Sequence, residues 1–479
     1  MPNALSCFIL IFSISFAAYT VEAEPFPSDS ISLAQSWQLL LQHDELLTAN
    51  KFASQRSQAL AETASSLSLP QIDFIGSYTH LDSNVVLDTL ALNPLQDAAQ
   101  TLPGQLLIDL IGGPDAFKTP ITSQNIASTS LNMLWPVYSG GKIQARKQLL
   151  ALNAQSSTFV TEELKRVKFQ ELVATYFGLV MAKRTLRTQQ QIEQSLANHL
   201  KVAEGLERNA QISKVEHLAA AAAHDRAKVT TQALRQQVQI VNHKLNALLY
   251  RNLTQSGDNT ADTLIETSTN LFTVKQLPSQ QHFNNKISNH PKLQLLATRR
   301  AEAKQIAEVV KGLYRPEVFL YGRYNLTQTQ SIASDIAPDW LVGLGMRIPL
   351  VDRSGKKGNI SAATNNIDEL EYLQRAANSE LTLLLDLSYK EAQQALTEYH
   401  SLASTIALAE LTVQLQQRAF AEGLGRSLDV IDAHTFLATT QTMRDAAALR
   451  FILSFSHLLT MTGDYEQIFN YAQHGEVIQ

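Results

Sequence analysis

Two carboxylates near the C-terminal end have the strongest claim to chemistry. They lie in the stretch A-E-G-L-G-R-S-L-D-V-I-D-A, residues 421–433. Asp429 and Asp432 are spaced to share one helical face, and Arg426 precedes Asp429 by the same interval. In an exposed helix the two carboxylates repel by ~0.2–0.5 kcal/mol, and Asp429 also suits the positive end of a helix start. Gathered from several copies around a symmetry axis, such carboxylates form a negative constriction that binds cations and raises its members' pKa values. Asp429 and Asp432, with Arg426 beside them, are therefore the residues to weigh for such a role. The histidines show no H-E-x-x-H or other ligand spacing. Gly140-Gly141-Lys142 lacks both the first glycine of a phosphate loop and the Ser/Thr after its lysine. No nucleophile–base arrangement is visible. We expect no catalytic residues, no metal and no cofactor.

These residues need a carrier. From just after Gly358 to Glu422, and again from Leu428 to Met461, the chain has neither proline nor glycine and is rich in Ala, Leu, Gln and Glu. At ~1.5 Å per residue the first flank spans ~100 Å. Gly423 and Gly425 mark a helix stop, and Ser427 is the expected N-cap of the next helix. The stretch therefore reads as the tip of a very long antiparallel helical hairpin. Leu402, Ile406, Ala409, Val413 and Phe420 repeat as a narrow heptad-like seam, which suits coiled-coil packing.

Composition limits what the hairpin belongs to. The 479 residues carry a net charge of −5 with 17% charged residues, which gives no reason to expect nucleic acid. The apolar run of residues 4–18 is too short to span a bilayer as a helix and leads to Val21-Glu22-Ala23, a small-residue cleavage pattern. Residues 1–23 read as a cleavable signal peptide, with an uncleaved N-terminal anchor as the alternative. The single cysteine, Cys7, falls inside this segment and too close to the start for a lipoprotein signal. No later run of ~18 apolar residues exists, so an exported chain that meets a membrane must do so with β-strands.

Taken in order, a first unit covers residues 24–289: helix 33–66, strands 70–80 and 128–138, a loop-like 81–124 with one short apolar helix, a hairpin 142–250 broken around 209–213, and an irregular 251–289. A second unit, 290–479, repeats the order: helix 291–313, strands 316–328 and 339–350, hairpin 356–463. Pro70, Gly76 and Tyr78 recur at the same spacing as Pro316, Gly322 and Tyr324. An offset of ~215–245 residues is too long for a solenoid unit, so this is an internal duplication. Strands of ~10 residues suit a tilted membrane span. Four of them cannot end in lipid with unpaired edges, so closure requires an oligomer; three copies supply twelve strands. Trp135, Trp340, Tyr78 and Tyr324 sit near strand ends, where interfacial aromatics belong, while Asp73, Ser77, Arg323 and Asn325 line the wet face.

The duplication, the Pro-led strands, the exits P-V-Y-S-G-G-K and P-L-V-D-R-S-G-K, and E-G-L-G-R-S-L-D-V-I-D-A together resemble the TolC family of outer-membrane channel-tunnels over about residues 32–463. The fold class so implied is mainly α with membrane β: a homotrimeric twelve-stranded β-barrel in outer-membrane lipid, continued by a coiled-coil helical barrel in the periplasm. The implied function is the exit duct of a tripartite efflux pump or type I secretion system. A periplasmic adaptor and an inner-membrane transporter would be its partners. Gly423 and Leu424 fall on the tip turn where adaptors dock, with Gly425 beside them. Ala210, Gln211 and Ile212 are the corresponding first-unit residues, though that segment lacks the glycines. Asp429 and Asp432 fall on the aspartates of the constriction, and Arg426 lies one position from a latch arginine. A periplasmic helical-hairpin adaptor or scaffold is the alternative reading.

Overall fold

A computed structural model describes residues 30–91, 101–249, 264–329, 338–351 and 353–477. The expected signal peptide, residues 1–23, lies outside them. The first helical stretch is two helices, α1 (Leu33–His43) and α2 (Glu45–Glu62), where the sequence reads as one from 33 to 66. The break has a cause at Asp44. Its buried carboxylate accepts the Leu47 amide at 2.7 Å, so Asp44 ends one helix and caps the next. Absence of Gly and Pro does not reveal a stop made by an N-cap. A 3-10 turn, Thr63–Ser68, then leads to β1 (Gln71–His80).

The segment expected to be loop-like holds a small hairpin, β2 (Val85–Asp88) against β3 (Lys118–Thr122), around α3 (Leu102–Leu110). Residues 92–100 lie outside the description. β4 (Asn125–Tyr138) begins earlier than expected because it pairs along the whole of β1. Next come α4 (Lys142–Arg208) and α5 (Lys214–Leu248). Within the stretch expected to be irregular, β5 (Phe272–Thr273) and α6 (Gln280–Asn284) form. β5 pairs with the last strand of the chain, a contact no local pattern signals. α7 (Pro291–Gly312), β6 (Glu317–Gln328), β7 (Trp340–Arg347), α8 (Lys356–Ala421), α9 (Ser427–Thr462), α10 (Gln467–His474) and β8 (Glu476–Val477) complete the order. β7 stops short of 350 because Pro349 has no amide to give a ladder.

Four strands make one antiparallel sheet in the order β1-β4-β6-β7. In the first hairpin Gln71 stands opposite Leu134 and Tyr78 opposite Ala127; in the second Glu317 stands opposite Arg347 and Tyr324 opposite Trp340. Gln71 and Glu317 each follow a proline, so the two hairpins share one register. One sheet face carries Ile72, Phe74, Leu131, Leu344 and Met346, all exposed. The helices gather at mid-length around a core of Trp37, Phe169, Tyr176, Phe177, Phe451 and Phe455. There Trp37 meets Phe169 edge-on at 5.1 Å, and the Tyr176 hydroxyl donates to the Ile31 carbonyl at 2.7 Å. The sheet joins the helices through a Lys142–Glu317 ion pair and an Arg315 hydrogen bond of 3.1 Å to the Gly140 carbonyl. Among the described residues no helix is long and apolar enough to cross a membrane.

If the exposed apolar face meets lipid, cysteines placed at Phe74 or Val342 react with lipid-phase thiol reagents, and those at Asp73 or Arg323 with water-soluble ones. Equal labelling of both faces rejects a membrane sheet.

Candidate functional site

The two longest hairpins, α4–α5 and α8–α9, end in turns of one geometry. In the first, the Ala210 amide bonds the Glu207 carbonyl and the Gln211 amide bonds the Leu206 carbonyl, both at 2.8 Å. In the second, the Gly423 amide bonds the Phe420 carbonyl at 3.0 Å and the Leu424 amide bonds the Ala419 carbonyl at 2.8 Å. Each is a Schellman turn that satisfies the last helical carbonyls. It requires a left-handed residue, and the chain supplies Ala210 (φ 55°) in one and Gly423 (φ 74°) in the other. The missing glycine in the first hairpin therefore leaves the turn intact and moves the strain onto Ala210. Gly425 lies close to α8: a Cβ there would come within 3.1 Å of the Phe420 nitrogen.

The start of α9 differs from expectation. Arg426, not Ser427, is the N-cap residue, with extended backbone. Its amide donates to Asp429 Oδ2 at 3.3 Å and its Nη2 to Asp429 Oδ1 at 2.9 Å. Ser427 is the first helical residue because its hydroxyl is engaged elsewhere. That hydroxyl is buried, 2.7 Å from His199 Nε2 of α4, and the Ser427 amide donates to Glu216 Oε2 of α5 at 2.7 Å. A first-hairpin carboxylate thus caps the second hairpin's helix.

This cross-hairpin contact sits on a small core. Ala203, Ala220, Phe420 and Val430 are buried, with Leu200, Leu206 and Ile212 packed against them and the His199 ring 4.4 Å from that of Phe420. Ile212, expected as a docking residue, is half-buried here and supports the tip from within. Ala210, Gln211, Gly423 and Leu424 are exposed, and Leu424 is 80% exposed. Val215, Leu218 and Leu428 are also exposed beside the turns, and sequence reasoning missed them. The signal was available: Val215 and Leu428 hold the same place after their respective turns.

The three expected gate residues do not act alike. The side-chain hydrogen bond to Arg426 holds the Asp429 carboxyl below its usual range, and the same bond raises the Arg426 guanidinium. Asp432 is exposed on the next turn. Behind them, burial and then the neighbouring His434 push the His199 imidazole down to about 4, and burial also lowers His434. His434 Nε2 lies 2.8 Å from Gln417 Nε2, and His217 is paired with Glu207. Among the described residues no group of three or more His, Cys, Asp or Glu could hold a metal ion.

Two outcomes follow from this geometry. Left-handed backbone costs an L-residue about 1 kcal/mol more than glycine, so Ala210→Gly stabilises the first tip by about that amount, read as slower amide exchange across 206–216. Unfolded histidine takes a proton near pH 6.5, whereas folded His199 resists until about 4. Its contribution is therefore complete above pH 6.5 and lost as the pH falls toward 4. Protection of the Ser427–Val430 amides declines across that window in the native chain and stays level in His199→Gln. Identical profiles would remove His199 from the clamp.

The comparisons bear on both hairpins. Residues 283–463 match the outer membrane efflux protein family. No match emerges among curated proteins. Among solved structures, the outer membrane protein VceC from Vibrio cholerae aligns with a TM-score of 0.71 at 15% identity, covering 89% of this chain and 96% of that one. The CmeC outer membrane channel of Campylobacter jejuni gives 0.66 at 14% identity and covers 98% of each chain. The open-state MtrE outer membrane channel of Neisseria gonorrhoeae gives 0.69 at 12% identity, over 90% and 89%. Residues 283–463 thus carry the outer membrane efflux protein match, and over nearly the whole chain the fold is the one these outer-membrane channels share.

Proposed function

We propose that three copies of this chain form an outer-membrane exit duct for a tripartite efflux pump or a type I secretion system. One observation carries the reading. A single chain holds a four-stranded antiparallel sheet with two open edges and an exposed apolar face, fused to two helical hairpins, the longer arm of which runs 67 residues. At ~1.5 Å per residue that arm spans ~100 Å, a reach suited to a periplasmic tunnel. Three such sheets close a twelve-stranded barrel in outer-membrane lipid. The shared strand register and the paired tip turns support an internal duplication, with a first unit 24–289 and a second 290–479. Residues 1–23 act as the export signal and are removed. The duct is a passive conduit, not an enzyme.

A periplasmic adaptor docks on the exposed turns, at Ala210, Gln211, Gly423 and Leu424 with Val215 and Leu428 beside them, and links the duct to an inner-membrane transporter. Leu424→Glu then leaves SDS-resistant, heat-modifiable trimers in the outer-membrane fraction while export is lost. Wild-type protein found as a soluble periplasmic pool would instead favour the adaptor reading.

The constriction is the second element. Asp432 and the Arg426–Asp429 pair from three copies ring the periplasmic entrance. Asp432 supplies the free field, because Asp429 is bonded to its own Arg426. Divalent and trivalent cations bridge several such carboxylates, which monovalent ions cannot. Asp429→Ala/Asp432→Ala relieves multivalent-ion block and weakens cation selectivity in planar-bilayer recordings, with Asp432→Ala alone giving the larger share. Unchanged block in the double variant moves the constriction elsewhere along the hairpins.

A further inference from the structure

The sheet ends in two open edges, β1 and β7, and the pairing inside the chain specifies how they would meet. β1–β4 and β6–β7 have a common register, which equates Gln71 with Glu317, Tyr78 with Tyr324, Ala127 with Trp340 and Leu134 with Arg347. The equation keeps residue type at several places: Gly76 falls on Gly322, Met133 on Met346 and Pro136 on Pro349. The remaining ladder, β4–β6, joins the first unit to the second. In it Leu131 stands opposite Tyr324, Met133 opposite Gly322 and Leu134 opposite Tyr321. A ring of identical chains needs one more ladder, from the second unit of one copy to the first unit of the next. If the ring treats both units alike, that ladder copies β4–β6.

We infer that β7 pairs antiparallel with β1 of a second copy in a single register, with Leu344 opposite Tyr78 of the partner subunit and Met346 opposite Gly76 of the partner subunit. The inference rests on the oligomeric-duct reading and adds to it which residues meet. Three observations on this chain favour the register. First, it keeps the apolar face continuous: Leu344 and Met346 of β7, and Phe74 and Tyr78 of β1, are all exposed within the single chain. Only an even shift preserves this match, because a one-residue slip turns every side chain to the other face. Second, Met346 would lie over a glycine, as Met133 lies over Gly322, where its Cε is 3.6 Å from the place of a Cβ. Third, on the opposite face Arg347 falls across from Ile75 of the partner subunit and diagonal to Asp73 of the partner subunit. Arg347 is 76% exposed and only 3.7 Å-bonded to Glu317, and Asp73 faces the same side. Diagonal neighbours are within reach of long side chains, so the seam brings together opposite charges.

Cysteine pairs test the register in full-length protein in which the one native cysteine is removed by Cys7→Ser. Antiparallel pairs alternate between two backbone separations, so two pairs are made, Leu344→Cys/Tyr78→Cys and Arg347→Cys/Ile75→Cys. One of them has the short Cβ distance a disulfide needs, whichever type falls where. Shifted controls are Leu344→Cys/Gly76→Cys and Arg347→Cys/Ser77→Cys. Mild oxidation of membranes is expected to yield covalent trimers from an in-register pair, several-fold more than from either control. Stronger cross-linking of a shifted pair overturns the register while leaving a β7–β1 seam. So does no cross-linking by any pair in protein that light scattering finds trimeric. A monomeric wild-type protein in detergent overturns the oligomeric duct itself. Should the cysteine variants fail to assemble, charge reversal decides: Arg347→Asp lowers the fraction of SDS-resistant trimer and Asp73→Arg in the same chain restores it. Absence of that restoration rejects the register.

Discussion

A backbone amide or carbonyl left without a partner in hydrocarbon costs several kcal/mol, and this constraint governs the rest of the molecule. The sheet has four strands and two unfilled edges, so in lipid it is incomplete as a single chain. Everything above and below the sheet fits that need. The chain enters β1 and β6 from short rods, α2 and α7, and leaves β4 and β7 into rods of 67 and 66 residues. At the junction, the Lys142–Glu317 pair and the Arg315–Gly140 bond tie the first unit's exit to the second unit's entrance. If such sheets close a barrel, closing it and aligning the helices are therefore one problem, since a shifted ladder would also displace the helices that leave it.

The tips answer to a different constraint. A helix end leaves orphan carbonyls and a helix start leaves orphan amides. Both turns satisfy the carbonyls in one way. The amides are handled differently: Ser213 caps α5 with its own hydroxyl, 3.4 Å from the Glu216 amide, whereas α9 receives Glu216 from the neighbouring hairpin. Ser427, the obvious cap by residue type, is spent on His199. The result joins the two hairpins through one carboxylate, one hydroxyl and one neutral imidazole over a four-residue core.

The legible part of the fold was the part written in short-range pattern. Long stretches without Pro and almost without Gly announce α4, α5, α8 and α9, and period-two alternation after Pro70 and Pro316 announces β1 and β6. What was illegible depends on contacts between distant segments. Asp44 reads as an ordinary helical residue until its carboxylate is seen to hold the Leu47 amide. β5 is two residues long and exists only because β8 lies beside it. At the tips, composition located the turns but misread their chemistry. Ala210 lacks glycine's freedom, yet the surrounding hydrogen bonds hold it in the left-handed region. Propensity favours Ser427 as the cap, but it ranks residue types and cannot know that a buried histidine faces this one.

The duct reading explains why likeness between the units is kept in the sheet and broken at the tips. Closure of a barrel would need each ladder to be interchangeable with the next, and the two hairpins do share one register to the residue. An entrance that opens has the reverse need. Equal contacts between all neighbouring hairpins would offer no preferred place to part. Here the first unit's carboxylate, Glu216, reaches across to Ser427, while its counterpart Asp429 is held by Arg426 of its own helix. The two hairpins of one chain are therefore joined by a part-buried contact on the buried Ser427 and His199, whereas Asp429 stays bonded to Arg426 of its own helix. Exposed ion pairs are weak and salt-screened, whereas buried hydrogen bonds to a charged group are stronger. In a duct built from several copies, a tip that opened by splitting a chain's own hairpins would have to break this Glu216–Ser427–His199 contact, a cost that an exposed pair such as Arg426–Asp429 does not impose.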